Sequence, residues 1–137
     1  MLETDKVTIA FRDKREGDTP FIFASWLKGL RFGNDWYGLI DSKIYFKVYH
    51  DFIEMLLAKP DVTVKVACMK DAPDVILGYS VYSGTRLDWV YVKDRWRGLG
   101  VAKDLVPTNI TTVSHVTDTG RSILKKNSDI LFDPFHF

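Results

Sequence analysis

The sequence predicts a mixed α/β domain, with a central, mostly antiparallel sheet of about six strands flanked by helices in the order β-α-α-β-β-β-α-β-α-β. Three observations carry this expectation. Apolar residues recur at steps of three and four between positions 20 and 58. The period then changes to two between positions 62 and 92. Turn residues close each segment at short intervals. At 137 residues the chain is expected to form a single domain, 1–137, large enough to bury a core.

Val7 to Phe11 is β-rich and bounded by charge, which predicts the first strand. Thr19-Pro20 supplies a hydroxyl cap and a proline in the first turn of a helix. Phe21, Trp26, Leu27 and Leu30 continue at helical spacing to a stop at Gly33-Asn34. Asp41-Ser42 caps a second helix, Lys43 to Ala58, whose inward face is predicted from Ile44, Val48, Phe52, Met55 and Leu56. Val62 to Cys68 alternates as a half-buried strand, and Met69 to Asp74 forms a polar turn. Val75 to Tyr82 and Arg86 to Val92 complete a three-strand antiparallel meander around Ser83-Gly84. A glycine turn and short helix follow from Gly98 to Leu105, cut off by Pro107. Ile110 to Val116 is a further strand, Thr119 to Lys126 a short helix, and Ile130 to Phe132 a last strand.

Composition narrows the function classes. The chain has 19 basic and 18 acidic residues, a net charge of +1. Phosphate neutralisation by nucleic-acid-binding proteins usually needs a basic excess or stripe, and neither is evident, so a nucleic-acid partner is disfavoured. Cys68 is the one cysteine, which excludes an intrachain disulfide, and its alternating apolar run makes it a buried small hydrophobe. His50 and Glu54 are four apart on a helix, but no third ligand is placed beside them, and no metal is expected. The N-terminal residues lack the apolar core of a signal peptide, and no stretch approaches the ~20 apolar residues that span a bilayer. A cytoplasmic protein without membrane contact is expected.

The stretch with chemical content runs from Asp88 to Leu105. A hydrophobic strand feeds a turn with glycines at alternate positions, Arg97-Gly98-Leu99-Gly100-Val101-Ala102, and a helix begins directly after. Free N–H groups in a first helical turn attract phosphate, and glycine lets backbone approach the oxygens without a Cβ in the way. Arg95 and Arg97 add countercharge. A P-loop would end in Gly-Lys-Ser/Thr, and a dinucleotide fingerprint needs three glycines in a parallel βαβ unit. Neither pattern is present.

The stretch resembles the signature of the GNAT superfamily of N-acetyltransferases, Arg/Gln-x-x-Gly-x-Gly/Ala, which opens the helix after the fourth strand. Two registers match, Arg95-x-x-Gly98-x-Gly100 and Arg97-x-x-Gly100-x-Ala102. The second is preferred because it keeps Val92 five residues before the arginine and Trp96 immediately before it; Asp94 stands where the family has proline. The resemblance is specific from about Val75 to Leu105 and elsewhere rests on the order of elements. It implies acetyl-CoA as co-substrate, lying in a V between a splayed fourth and fifth strand. Backbone of Tyr91 and Val92 would then pair with the pantetheine arm, and amides from Gly98 to Ala102 would hold the pyrophosphate.

The resemblance also implies direct attack of an amine on the thioester. Such attack needs a proton acceptor for the amine and gains from a proton donor to the leaving thiolate. Asp88 and His115 are the candidate bases. Asp88 would need a partner if buried, and Arg86 is a neighbour. The family's donor is often a tyrosine on the helix after the fifth strand. That helix has none here, which leaves Ser122, Thr119 or Tyr91. Trp26, Tyr37 and Trp89 are candidates to line an acceptor pocket, for a small-molecule or protein amine. The missing tyrosine, early proline and brief last strand also suit a GNAT-like domain that binds without turnover. The exposed sheet edge and aromatic content are compatible with a homodimer.

Overall fold

The computed structural model describes residues 8–117, 121, 124–127 and 129–135. Six strands form one sheet in the order β1-β2-β3-β4-β5-β6: β1 Ile9–Asp13, β2 Thr63–Met69, β3 Ala72–Ser83, β4 Arg86–Val92, β5 Thr112–Val113 and β6 Leu131–Phe132. The first four run antiparallel to their neighbours, while β5 is parallel to β4 and β6 is parallel to β5. Helices α1 (Thr19–Phe32) and α2 (Ser42–Leu57) cover one face, and α3 (Val101–Leu105) lies on the other. Residues 121 and 124–126 are helical. Among the described residues no helix is long and apolar enough to cross a membrane.

The first helix follows its sequence signals. Pro20 occupies the first turn, where its missing N–H costs nothing, and Ile22, Trp26, Leu27 and Leu30 are buried at steps of four, one and three. In α2 the Asp41 carboxylate accepts the Ile44 N–H at 3.2 Å, as the cap predicts.

The buried face of α2 corrects the sequence-based expectation. Of the five residues expected inside, Leu56 is buried and Phe52 packs against the core, but Ile44, Val48 and Met55 are 58%, 55% and 45% exposed, and Tyr45, Tyr49 and Ile53 face inward in their place. The helix is thus turned by about one residue, roughly 100°. The reason is the tyrosines: counted as polar, they point outward, but each has an apolar body whose hydroxyl can be satisfied inside. Tyr45 Oη donates to Leu27 O at 2.6 Å, and the hydroxyls of Tyr37 and Tyr49 share a hydrogen bond of 2.9 Å.

Other boundaries move for local reasons. β1 begins at Ile9 among the described residues and runs to Asp13, two residues beyond the predicted end, because Arg12 and Asp13 pair with Val66 and Lys65. β3 begins at Ala72, three residues early, because the β2–β3 turn is tight and Met69 faces Ala72. β4 has its predicted bounds. The α3 helix begins at Val101, three residues after its predicted start at Gly98, and is preceded by a 3-10 turn at Asp94–Trp96. β5 is two residues long where Ile110 to Val116 was expected, since β4 leaves it after Leu87.

That departure has a visible origin in β4. Val81 faces Trp89 and Tyr82 faces Leu87, so Asp88 is an extra residue with no partner on β3, a β-bulge. A bulge bends its strand, changes which residues point outward, and ends pairing on the far side.

Candidate functional site

From the bulge onward β4 has one open side. Its pairing with β5 is confined to Arg86 and Leu87, where Thr111 N–H donates to Thr85 O at 2.8 Å and Ser114 N–H to Leu87 O at 3.0 Å. On the other side Lys93 N–H donates to Leu77 O at 2.9 Å. In an antiparallel ladder alternate residues exchange such bonds, so Tyr91 and Trp89 turn their backbone groups toward β3, and Val90 and Val92 turn theirs toward the gap. The carbonyl of Tyr91 agrees, lying 2.5 Å from where a Cβ on Gly78 would sit. Of the two residues expected to pair with an extended ligand, Val92 therefore has the appropriate backbone direction. Val90, which was not singled out, shares it, and Tyr91 does not. The Tyr91 ring packs instead on Phe21 and Tyr79 at 5.9 Å.

The gap leads to the glycine turn. Gly98 and Gly100 have φ of +79° and +83°, a region that side-chain-bearing residues rarely adopt, and no atom lies within 4 Å of where a Cβ on either would be. Gly100 is the residue before α3, so the N–H groups of Val101 and Ala102 have no partner within the helix. With only five residues α3 has a small dipole, and an anion here would be held chiefly by individual N–H groups. Leu99 is exposed at the crest of the turn. The far end of α3 is pinned, with Leu105 O accepting from Ser80 Oγ at 2.7 Å and Asp104 O from Lys65 Nζ at 3.0 Å. The geometry fits a pyrophosphate in one specific respect: both positions where a Cβ would intrude are glycine, and the space above them is open.

Arg97 folds back onto the strand that precedes it. Its Nε donates to Val92 O at 2.7 Å, and its Nη1 contacts Asp94 at 2.6 Å. Its guanidinium carbon lies 5.8 Å from the Tyr91 ring. The arginine thus bridges strand and turn as well as adding positive charge beside them.

At the base of the gap the two candidate bases are joined. Asp88 is buried, and its Oδ1 accepts from Arg86 Nε at 3.0 Å and from Ser114 Oγ at 2.7 Å. Ser114 Oγ also lies 2.8 Å from His115 Nδ1. Asp88 Oδ2 is buried without a hydrogen-bond partner among the described residues, a costly arrangement most often tolerated at working sites. The His115 ring lies 5.4 Å from Phe52, 5.9 Å from Trp26 and 6.2 Å from Tyr49.

Burial pushes the His115 imidazole down to about 4; the Asp88 carboxylate and carbonyl oppose the fall and Arg86 adds to it. An unfolded chain therefore binds more protons than the folded one between pH 4 and about 6.5, and stability rises with pH across that window. His115→Gln is expected to flatten the rise by at most about 3 kcal/mol, because the ring is partly exposed. Urea unfolding at pH 4.5, 5.5 and 7 would measure it. Parallel curves for the two proteins would rule out the depressed histidine as the cause.

The remaining candidates fall out differently. Trp26, Tyr37 and Trp89 are buried, and Trp26 stacks on Trp89 at 5.5 Å, so they are core residues and do not line an open acceptor pocket. Ser122 and Thr119 lie outside the described residues. His50 packs on Phe23 at 4.6 Å, and no group of three metal-ligating side chains occurs among the described residues. Ser114 was not singled out, although its place between a hydroxyl-rich β run and His115 was the available signal.

No protein-family model matches the chain, and no curated protein matches it in sequence. Solved structures do. A predicted acetyltransferase of Clostridium acetobutylicum, solved with acetyl-CoA, superposes with a TM-score of 0.60 at 15% identity, over 88% of each chain. AAC(6')-Iy in complex with the bisubstrate analogue CoA-S-monomethyl-acetylneamine gives 0.51 at 16% identity, over 95% of each chain. Apo YjaB of Escherichia coli gives 0.51 at 21% identity, over 72% of this chain and 61% of its own length. These likenesses establish the fold: the chain shares the architecture of these acetyltransferase structures.

Proposed function

We propose that this chain, as a single domain, is an acetyl-CoA-dependent N-acyltransferase that moves an acetyl group to an amine by direct attack. The observation that carries the reading is the opening of β4 from β5 at the Asp88 bulge. It leaves a backbone edge at Val90 and at the Val92 N–H, the Val92 carbonyl being engaged by Arg97, and this edge runs into a glycine turn suited to an anion. In this reading the pantetheine arm pairs with that edge. The amides of Gly98, Leu99, Gly100, Val101 and Ala102 hold the pyrophosphate, and Arg97 braces the turn. The thioester then lies toward the base of the gap, where Asp88, Ser114 and His115 meet. The fold is shared with a structure holding acetyl-CoA and with one holding a CoA bisubstrate analogue, which supports acyl-CoA as the ligand class. The acceptor amine comes from a small molecule or a protein, and the reaction needs no metal. The balanced charge is consistent with a cytoplasmic enzyme that does not engage nucleic acid.

Calorimetric titration with acetyl-CoA tests the reading. Micromolar binding is expected, followed by CoA release in a thiol assay over a panel of primary amines. Absence of acetyl-CoA binding would sink it. Binding without turnover would favour the second reading, a GNAT-like domain that binds without transferring. The five-residue α3 and the two-residue β5 and β6 are the observations on its side.

A further inference from the structure

We propose that Ser114 is a positioning residue: its hydroxyl, oriented by Asp88, fixes His115 as the Nδ1–H tautomer and leaves Nε2 as the proton acceptor for the attacking amine. The proposal rests on the acyltransferase reading for its chemistry but not for its geometry.

The count of hydrogens on Ser114 sets the tautomer of its neighbour. Ser114 Oγ has a single proton and two close partners, Asp88 Oδ1 at 2.7 Å and His115 Nδ1 at 2.8 Å. A carboxylate can only accept, and Asp88 Oδ1 already accepts from Arg86 Nε at 3.0 Å. The serine proton therefore goes to Asp88, and the remaining contact works only if Nδ1 carries the proton and donates it to Oγ. The tautomer follows from that second bond, which leaves the ring's lone pair on Nε2.

Neither Asp88 nor His115 is sufficient alone. Asp88 is wholly buried beneath the bulge, and its one engaged oxygen already accepts from Arg86 and Ser114. His115 is partly exposed, and its nearest charged groups are Asp88 and Arg86 on β4; from α2 it meets Tyr49 and from α1 the uncharged Trp26. In the reaction the amine lone pair forms the C–N bond to the thioester carbonyl carbon, and the C–S bond breaks with its electrons on sulfur. The amine proton passes to His115 Nε2. The imidazolium so formed is stabilised through Ser114 by Asp88, and its proton is then released to solvent or to the departing thiolate. The imidazole is neutral at neutral pH and can accept the proton.

Two readouts test this. In full-chain protein labelled with ¹⁵N-histidine at pH 7, His115 is expected as the Nδ1–H form, identified by its loss in His115→Gln from a set of three histidines. Ser114→Ala should shift it toward the Nε2–H form favoured in water, and Ser114→Thr should restore it. A wild-type ring already Nε2–H, or a spectrum unchanged in Ser114→Ala, would overturn the proposal whether or not an acceptor is known. In the CoA-release assay Ser114→Ala should lower kcat at least tenfold with the KM for acetyl-CoA unchanged, and Ser114→Thr should recover most of it. Wild-type turnover undiminished in Ser114→Ala would reject the proposal and leave the acyltransferase reading standing. A fixed Nδ1–H tautomer in a wild type that binds no acetyl-CoA would reject the chemistry and leave the tautomer assignment standing.

Discussion

Asp88→Ala is expected to destabilise the folded chain by about 1–3 kcal/mol, the cost of taking a buried acceptor away from the groups that donate to it. The Arg86 side chain is only 11% exposed and that of Asp88 is fully buried, so water replaces the lost carboxylate poorly. The same change removes the acceptor of the Ser114 hydroxyl. Because Asp88 is the bulged residue, no ladder partner on β3 offsets the loss. Asp88→Asn keeps an oxygen for Arg86 and Ser114 and should cost less. Urea unfolding at pH 7 measures both. A cost below about 1 kcal/mol for the alanine variant, as for exposed pairs, would show that water reaches this pair more freely than its burial implies.

Gly100→Val should weaken acetyl-CoA binding roughly 100-fold, about 2.8 kcal/mol, while the fold survives. Two effects combine. A β-branched residue at φ +83° is strained by at least about 1–2 kcal/mol, which the turn relieves by changing shape. The added side chain would also fill the open space above the turn, where the proposed pyrophosphate approaches. Gly17→Val is the matching control, since Gly17 also has open space around it but no left-handed φ, and lies on the segment before α1. Calorimetric titration of both variants gives the answer. Equal affinity for wild type and Gly100→Val would remove the turn from the binding site.

Both predictions depend on features that differ in how visible they were beforehand. The turn was legible because its signal is local: glycine at alternate positions, directly after a strand and before a helix, has few structural solutions. The bounds of β4 were legible for the same reason, since a run rich in apolar, β-branched and aromatic residues follows directly on the Ser83-Gly84 turn and ends at charged residues. The α2 face was not. Two candidate stripes share Phe52 and Leu56 and differ, by about one residue of rotation, in whether Ile44, Val48 and Met55 or Tyr45, Tyr49 and Ile53 accompany them. Hydroxyl partners on other elements decided between them. The aromatic residues suggested as an acceptor pocket belong to the core because Trp26 and Trp89 stack on each other.

The sequence by itself determined the class of fold, the order of its elements and the position of the glycine turn, because each follows from periodicity or backbone freedom within a few residues. Only the tertiary structure decided that the meander opens at Asp88, that β5 stops after two residues, and that Asp88 and His115 form one linked site instead of two rival bases. The reason is that all three depend on strand pairing. The parallel alignment of β4 with β5 brings Ser114 within 2.7 Å of a carboxylate 26 positions earlier in the chain, and no local pattern encodes that register.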